Sequence, residues 1–136
     1  MVRDFRELRI WQDAMVLAEA IYATTRVFPP EERYGLTNQL RRASVSTASC
    51  IAEGNARSST RDYLRFLSMS SGSLAEIETQ LLLARRFGYL NDDDTSLLLT
   101  PLHSLARQLQ ALKKALSARL ADSQMVPVPR PQFPGA

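Results

Sequence analysis

Apolar residues recur along this chain at helical spacing. In the first segment Ile10, Ala14, Leu17, Ile21 and Thr25 fall in steps of four, three, four and four, with Trp11, Ala18, Tyr22 and Phe28 widening the stripe. Pro29 and Pro30 end it, because neither ring can donate to a helical ladder. A second segment restarts at Tyr34-Gly35 and runs to about Ala56. Its stripe is Leu36, Leu40, Ala43, Thr47, Cys50, Ile51 and Gly54, with small residues from Ala43 onward that suit close helix packing. Ser59-Thr60-Arg61-Asp62 then has the form of a capping box. The third stripe, Tyr63, Leu67, Ser70, Leu74, Ile77, Leu81 and Ala84, alternates fours and threes as bundle helices do, and Arg85-Arg86 with Gly88 closes it. Asn91 and three aspartates open a fourth segment with Leu98, Leu102, Leu105, Leu109, Leu112, Leu116 and Leu120 on one face. Pro101 either kinks this helix or marks its true first turn near Thr100.

Four amphipathic segments with short connections predict an all-α, antiparallel up-down-up-down four-helix bundle over residues 1–122. Residues 123–136 hold four of the seven prolines and read as an extended, flexible C-terminal tail. Composition agrees: Leu and Ala number 20 and 16 against six Val and four Ile, and straight-chain side chains lose little rotamer freedom in a helix. At 136 residues the chain is one domain. A lone cysteine forms no internal disulfide, the charged start lacks a signal peptide's apolar run, and no stretch nears the roughly 18–20 apolar residues of a membrane span. The expectation is a cytoplasmic chain with no membrane contact.

The net charge of +3 is unevenly distributed. Residues 1–32 carry four Arg against six acids, 33–71 six Arg against two acids, 72–94 two Arg against five acids, and the remainder five cations against one acid. Alternating signs suit antiparallel neighbours and place basic surface on the second and fourth segments.

Candidate chemistry is sparse. His103 is the only histidine and no Glu stands three residues before it, so Glu53, Glu76 and Glu78 make a poor transition-metal set; neither a metal nor a cofactor is expected. The serines from Ser68 to Ser73 lack a nearby base and read as small packing residues, with Gly72 among them to permit close helix approach. Cys50 reads as a buried, inert thiol. No acid–base constellation suggests an enzyme.

Two groups of residues resist the core explanation. Gln39, Arg42, Ser46, Ser49 and Glu53 form one flank of the second helix. Arg42 and Glu53 are about 16 Å apart along the axis, too far to pair within the helix, so either the flank is solvated or it meets another subunit. Arg41, Arg57, Arg61 and Arg65 are candidates for contact with RNA or DNA phosphates, with Tyr34 or Tyr63 as stacking residues; ordinary solvated surface is the competing reading.

Four pieces in register carry a family resemblance: Phe5-Arg6-Glu7-Leu8-Arg9-Ile10-Trp11-Gln12; Phe28 through Tyr34-Gly35-Leu36-Thr37-Asn38-Gln39 to Ala43; Ile51-Ala52-Glu53-Gly54; and Gly72-Ser73 through Glu76-Ile77-Glu78 to Leu82. From about residue 5 to 121 the chain resembles the 23S rRNA intervening-sequence four-helix-bundle proteins. That resemblance implies a small bacterial cytosolic bundle that assembles as a homopentamer and whose biochemical role is not established. It also implies, by analogy with the related accessory protein of diversity-generating retroelements, a basic ring that binds nucleic acid and a protein partner such as a reverse transcriptase. The matches at Gln39, Arg42 and Glu53 strengthen the subunit-contact reading, with Arg42 and Glu53 pairing between bundles. The chain departs from the family pattern at Ala48, where a proline and its kink are expected, and at Cys50, where an asparagine is expected. A protein-interaction scaffold with no nucleic-acid role is the alternative function.

Overall fold

A computed structural model describes residues 4–124 of the chain. Four α-helices make up the fold: α1 (Arg9–Thr25), α2 (Leu36–Ala56), α3 (Thr60–Arg86) and α4 (Asp92–Gln124), with short 3-10 turns at Phe5–Glu7 and Pro30–Glu32. Each helix starts and stops for a local reason. Ser59 Oγ accepts from the Asp62 N–H at 3.1 Å to cap α3, and Asn91 Oδ1 accepts from the Asp94 N–H at 2.7 Å to cap α4. Gly88, at φ +84°, takes the left-handed conformation that ends α3. Pro101 lies inside α4, which resolves its two sequence readings in favour of an interior position.

Each helix packs on its two neighbours, α1 on α2 and α4, α3 on α2 and α4, and among the described residues the diagonal pairs keep their backbones more than 8 Å apart. Pairing along the interfaces runs in opposite chain directions. Across α2 and α3 the partners are Gln39 with Gln80, Ser46 with Ser73, and Thr47 with Ser70; across α3 and α4 they are Ser71 with Lys113 and Glu78 with His103. These pairings make the neighbours antiparallel, as the alternating charge suggested. Asp13 pairs with Gln108 across α1 and α4, so roughly three turns of α4 continue past the start of α1.

All four leucine-rich stripes point inward. Leu17, Ile21, Leu40, Ile51, Leu67, Leu74, Ile77, Leu81, Leu102, Leu105 and Leu109 are the large, fully enclosed side chains. Phe28 leaves α1 but stays buried, 5.5 Å from the Tyr89 ring. Tyr89 in turn donates to Glu32 Oε2 at 3.1 Å, while Glu32 Oε1 accepts the Leu36 N–H at 3.3 Å and so caps α2. This carboxylate ties the α1–α2 connection to the α3–α4 turn.

Near its C-terminal end α2 approaches α3 closely. A Cβ on Gly54 would sit 2.8 Å from Phe66 Cβ and 3.2 Å from Tyr63 Cδ1, so only glycine fits. Above it Ser70 Oγ donates to the Thr47 carbonyl at 2.8 Å and Ser73 Oγ to Ser46 Oγ at 3.0 Å, which satisfies buried hydroxyls across the contact. The expectation for Gly72 is corrected. It is exposed and a Cβ there would meet nothing within 4 Å, because α3 turns residue 72 to the outside while presenting Ser70 and Ser73 to α2. Helix α2 runs unbroken through Ala48, and Cys50 is buried with its Sγ 3.8 Å from Ser46 Oγ. The proposed tail from residue 125 onward lies outside the described residues, and α4 extends two residues past the predicted boundary at 122.

The two glycines should respond oppositely to alanine. Gly72→Ala is expected to raise unfolding stability by about 0.5–1 kcal/mol through helix propensity, and Gly54→Ala to lower it by about 1–3 kcal/mol through overpacking. Urea denaturation followed by circular dichroism measures both.

Candidate functional site

The sequence candidates separate into three places. Arg41 stands alone. Its Nε donates to Thr25 Oγ1 at 2.9 Å, its Nη2 to the Tyr22 carbonyl at 3.4 Å, and its guanidinium lies 4.7 Å from the centroid of the Tyr22 ring. These bonds cap the free carbonyl end of α1, where a cation is favoured by the helix dipole. Arg41 is also about 24 Å along α2 from Arg57, so the structure does not group it with the other arginines.

Arg57, Arg61 and Arg65 do gather at the turn between α2 and α3. The Phe66 ring organises two of them: Arg57 Cζ is 4.9 Å and Arg65 Cζ 4.8 Å from its centroid. Each of these two also has an acid partner, Glu53 Oε1 at 3.1 Å from Arg57 Nη2 and Asp62 Oδ1 at 3.6 Å from Arg65 Nη2. Arg61 is exposed and forms no ion pair among the described residues. Tyr63 is not a free stacking platform. It packs beneath Gly54, half-buried, and burial pushes its phenol above the ordinary tyrosine range. Tyr34 is exposed but lies at the opposite end of α2.

Sequence reasoning put basic surface on the second and fourth segments but did not bring the two together. A groove of about 700 Å³ between α3 and α4 is lined by Leu64, Ser68, Gln110, Lys113, Lys114 and Ser117. From Thr95 to Ala121, α4 carries Arg107, Lys113, Lys114 and Arg119 and no acid. The signal was present in the charge of the fourth segment; what the linear chain hides is that antiparallel packing brings that half of α4 beside the start of α3.

The second flank is a wall of a different groove. Asn38, Gln39, Arg42 and Ser46 of α2 face Ser73, Glu76 and Gln80 of α3 around about 390 Å³ of open space. Gln39, Arg42, Ser49 and Glu53 are exposed and Ser46 is partly so. Glu53 is engaged by Arg57 of its own chain, which gives it a partner within the helix that the 16 Å separation from Arg42 left open. Arg42 and Glu76 have no ion-pair partner among the described residues. Gln80 is 8% exposed; its Nε2 donates to Gln39 Oε1 at 3.3 Å, while its Oε1 is buried and accepts nothing.

His103 and Glu78 pair across α3 and α4 at 2.8 Å. Among the described residues no group of three or more His, Cys, Asp or Glu side chains is placed to hold a metal, and no helix is long and apolar enough to cross a membrane.

Comparison with known proteins agrees with this architecture. The model of the 23S rRNA-intervening sequence protein family matches residues 6–111. The fold is similar to a crystal structure from Bacteroides thetaiotaomicron, a protein with unknown function from the S23 ribosomal protein family. The TM-score is 0.70 at 18% identity, over 77% of this chain and 98% of that one. No curated protein matches the chain.

The structural role of Arg41 has a direct check. Arg41→Ala is expected to cost about 1–2 kcal/mol of unfolding stability through lost capping and ring contact, read by thermal denaturation, with no change in nucleic-acid affinity.

Proposed function

The chain belongs to the 23S rRNA-intervening sequence protein family, and from that premise we propose that it is a non-enzymatic, cytoplasmic, self-assembling bundle that holds RNA or DNA backbone against its basic end. The observation that carries this reading is the run of cations across the start of α3: Arg57 and Arg65 held by one aromatic ring, Arg61 unpaired, and Lys113 and Lys114 beside the adjoining groove. Guanidinium and ammonium groups spaced over two helices suit a repeating phosphate chain better than one small anion. Such contacts read backbone rather than sequence, so binding is expected across RNA and DNA with a steep dependence on salt, because each phosphate contact releases condensed counterions. Assembly, with the pentamer that the family resemblance implies as its expected form, multiplies the number of basic ends per particle.

One observation favours the second reading, a protein-interaction scaffold. Glu53 and Asp62 already neutralise two of the three arginines, and a surface of interleaved signs suits a protein of mixed charge.

Fluorescence anisotropy with a labelled single-stranded RNA and a DNA duplex, titrated at several salt concentrations, decides between them. Arg61→Glu and Lys114→Glu are each expected to weaken binding and to lower the log K against log salt slope by about 1. Wild-type protein that ignores both nucleic acids at low salt removes the backbone-binding reading and leaves the scaffold.

A further inference from the structure

The α2–α3 groove holds three groups that the described residues leave incomplete. Arg42 and Glu76 stand on its opposite walls, exposed, with opposite charge and without ion-pair partners among the described residues. Between Gln39–Gln80 on one side and Ser46–Ser73 on the other, they sit at the same level of the bundle. The third group is the Gln80 carbonyl oxygen, buried and accepting no bond. A buried acceptor without a donor has given up its water with no bond in return. Turning the Gln80 amide alone is no remedy, because it would face its oxygen toward the Gln39 oxygen.

These needs are complementary to the chain itself. We propose that the α2 flank of one copy docks along the α3 wall of this groove in a second copy, with Arg42 of one pairing to Glu76 of the other. Because Gln39 and Gln80 share a level just as Arg42 and Glu76 do, the same placement brings the second copy's Gln39 to the level of Gln80. Exposed Val45 on α2 and Met69 and Leu83 on α3 border the same face and supply apolar area to the contact. Met69, Glu76 and Leu83 recur at intervals of seven, one stripe down the outside of α3. This assigns the partner of Arg42 to α3 rather than to Glu53, which Arg57 occupies.

The inference rests on the reading that the chain self-assembles, and one experiment separates the two. Multi-angle light scattering on size-exclusion eluate is run for wild type, Arg42→Glu, Glu76→Arg and the double variant, with circular dichroism to verify that each remains helical. The expected result is an oligomeric wild type, at least about tenfold weaker association in each single variant, and recovery in the double. Single variants that stay assembled, or a double variant that does not recover, overturn the Arg42–Glu76 contact while leaving assembly standing. A wild type that is monomeric at every concentration overturns both.

Discussion

The close contact between α2 and α3 sets the geometry on which both surface features depend. With no Cβ on Gly54, the helix backbones meet at Tyr63 and Phe66, and serine and threonine hydroxyls carry the contact upward through Thr47–Ser70 and Ser46–Ser73. Small side chains let two helices approach closely, and their hydroxyls must then bond across the interface because no water remains to satisfy them. The pair is thereby fixed in register as well as in distance. A shift of one residue along either helix would break both hydroxyl bonds and drive a side chain into the space left by Gly54.

From that register two different surfaces follow along one helix pair. At the tight end the Phe66 ring is held where the guanidinium groups of Arg57 and Arg65 both reach it, so charge is concentrated at the turn. Higher up, the side chains lengthen to Gln39, Arg42, Glu76 and Gln80, and a groove opens between the helices. The basic turn is satisfied within the chain by Glu53 and Asp62, apart from Arg61. The groove is not, since among the described residues Arg42 and Glu76 lack ion-pair partners and the buried Gln80 oxygen lacks a donor. Surface ion pairs contribute little to stability, so the acids beside Arg57 and Arg65 do not prevent phosphates from competing for them.

The stripes, the caps at Ser59 and Asn91 and the stop at Gly88 were legible in the sequence because each depends on residues within one or two helical turns. Gly54 and Gly72 show the limit of that reading. Both stand in helices, and what distinguishes them is the neighbour across the interface, which linear spacing does not contain. Arg41 and Arg42 show it again at adjacent positions. A rotation of about 100° per residue turns one toward the carbonyl end of α1 and the other toward open groove. The basic half of α4 was visible as charge, but its place beside Leu64 and Ser68 depends on antiparallel register. The orphaned Gln80 amide had no sequence signature at all, since glutamine on a helix flank ordinarily faces water.

The level shared by Arg42 and Glu76 also constrains how copies of the chain lie against one another. If the second copy is related by rotation about an axis parallel to the bundle, heights are preserved, and the α2 flank of one meets the α3 flank of the other with Arg42 opposite Glu76. If it is inverted about an axis across the bundle, the two α2 flanks face each other and Arg42 meets Arg42. Like charges in contact disfavour that arrangement, so the charge pattern of the groove selects parallel bundles. Parallel bundles place every α2–α3 turn, and every basic end of α4, on the same side of the assembly. Gathering cations this way costs Coulomb repulsion that salt screens over about 8–10 Å, and a polyphosphate chain laid across them relieves it. In the proposed arrangement a groove lying away from the basic turn would decide whether the basic ends act singly or as one extended surface, so that assembly and nucleic-acid binding would favour each other through the same charges.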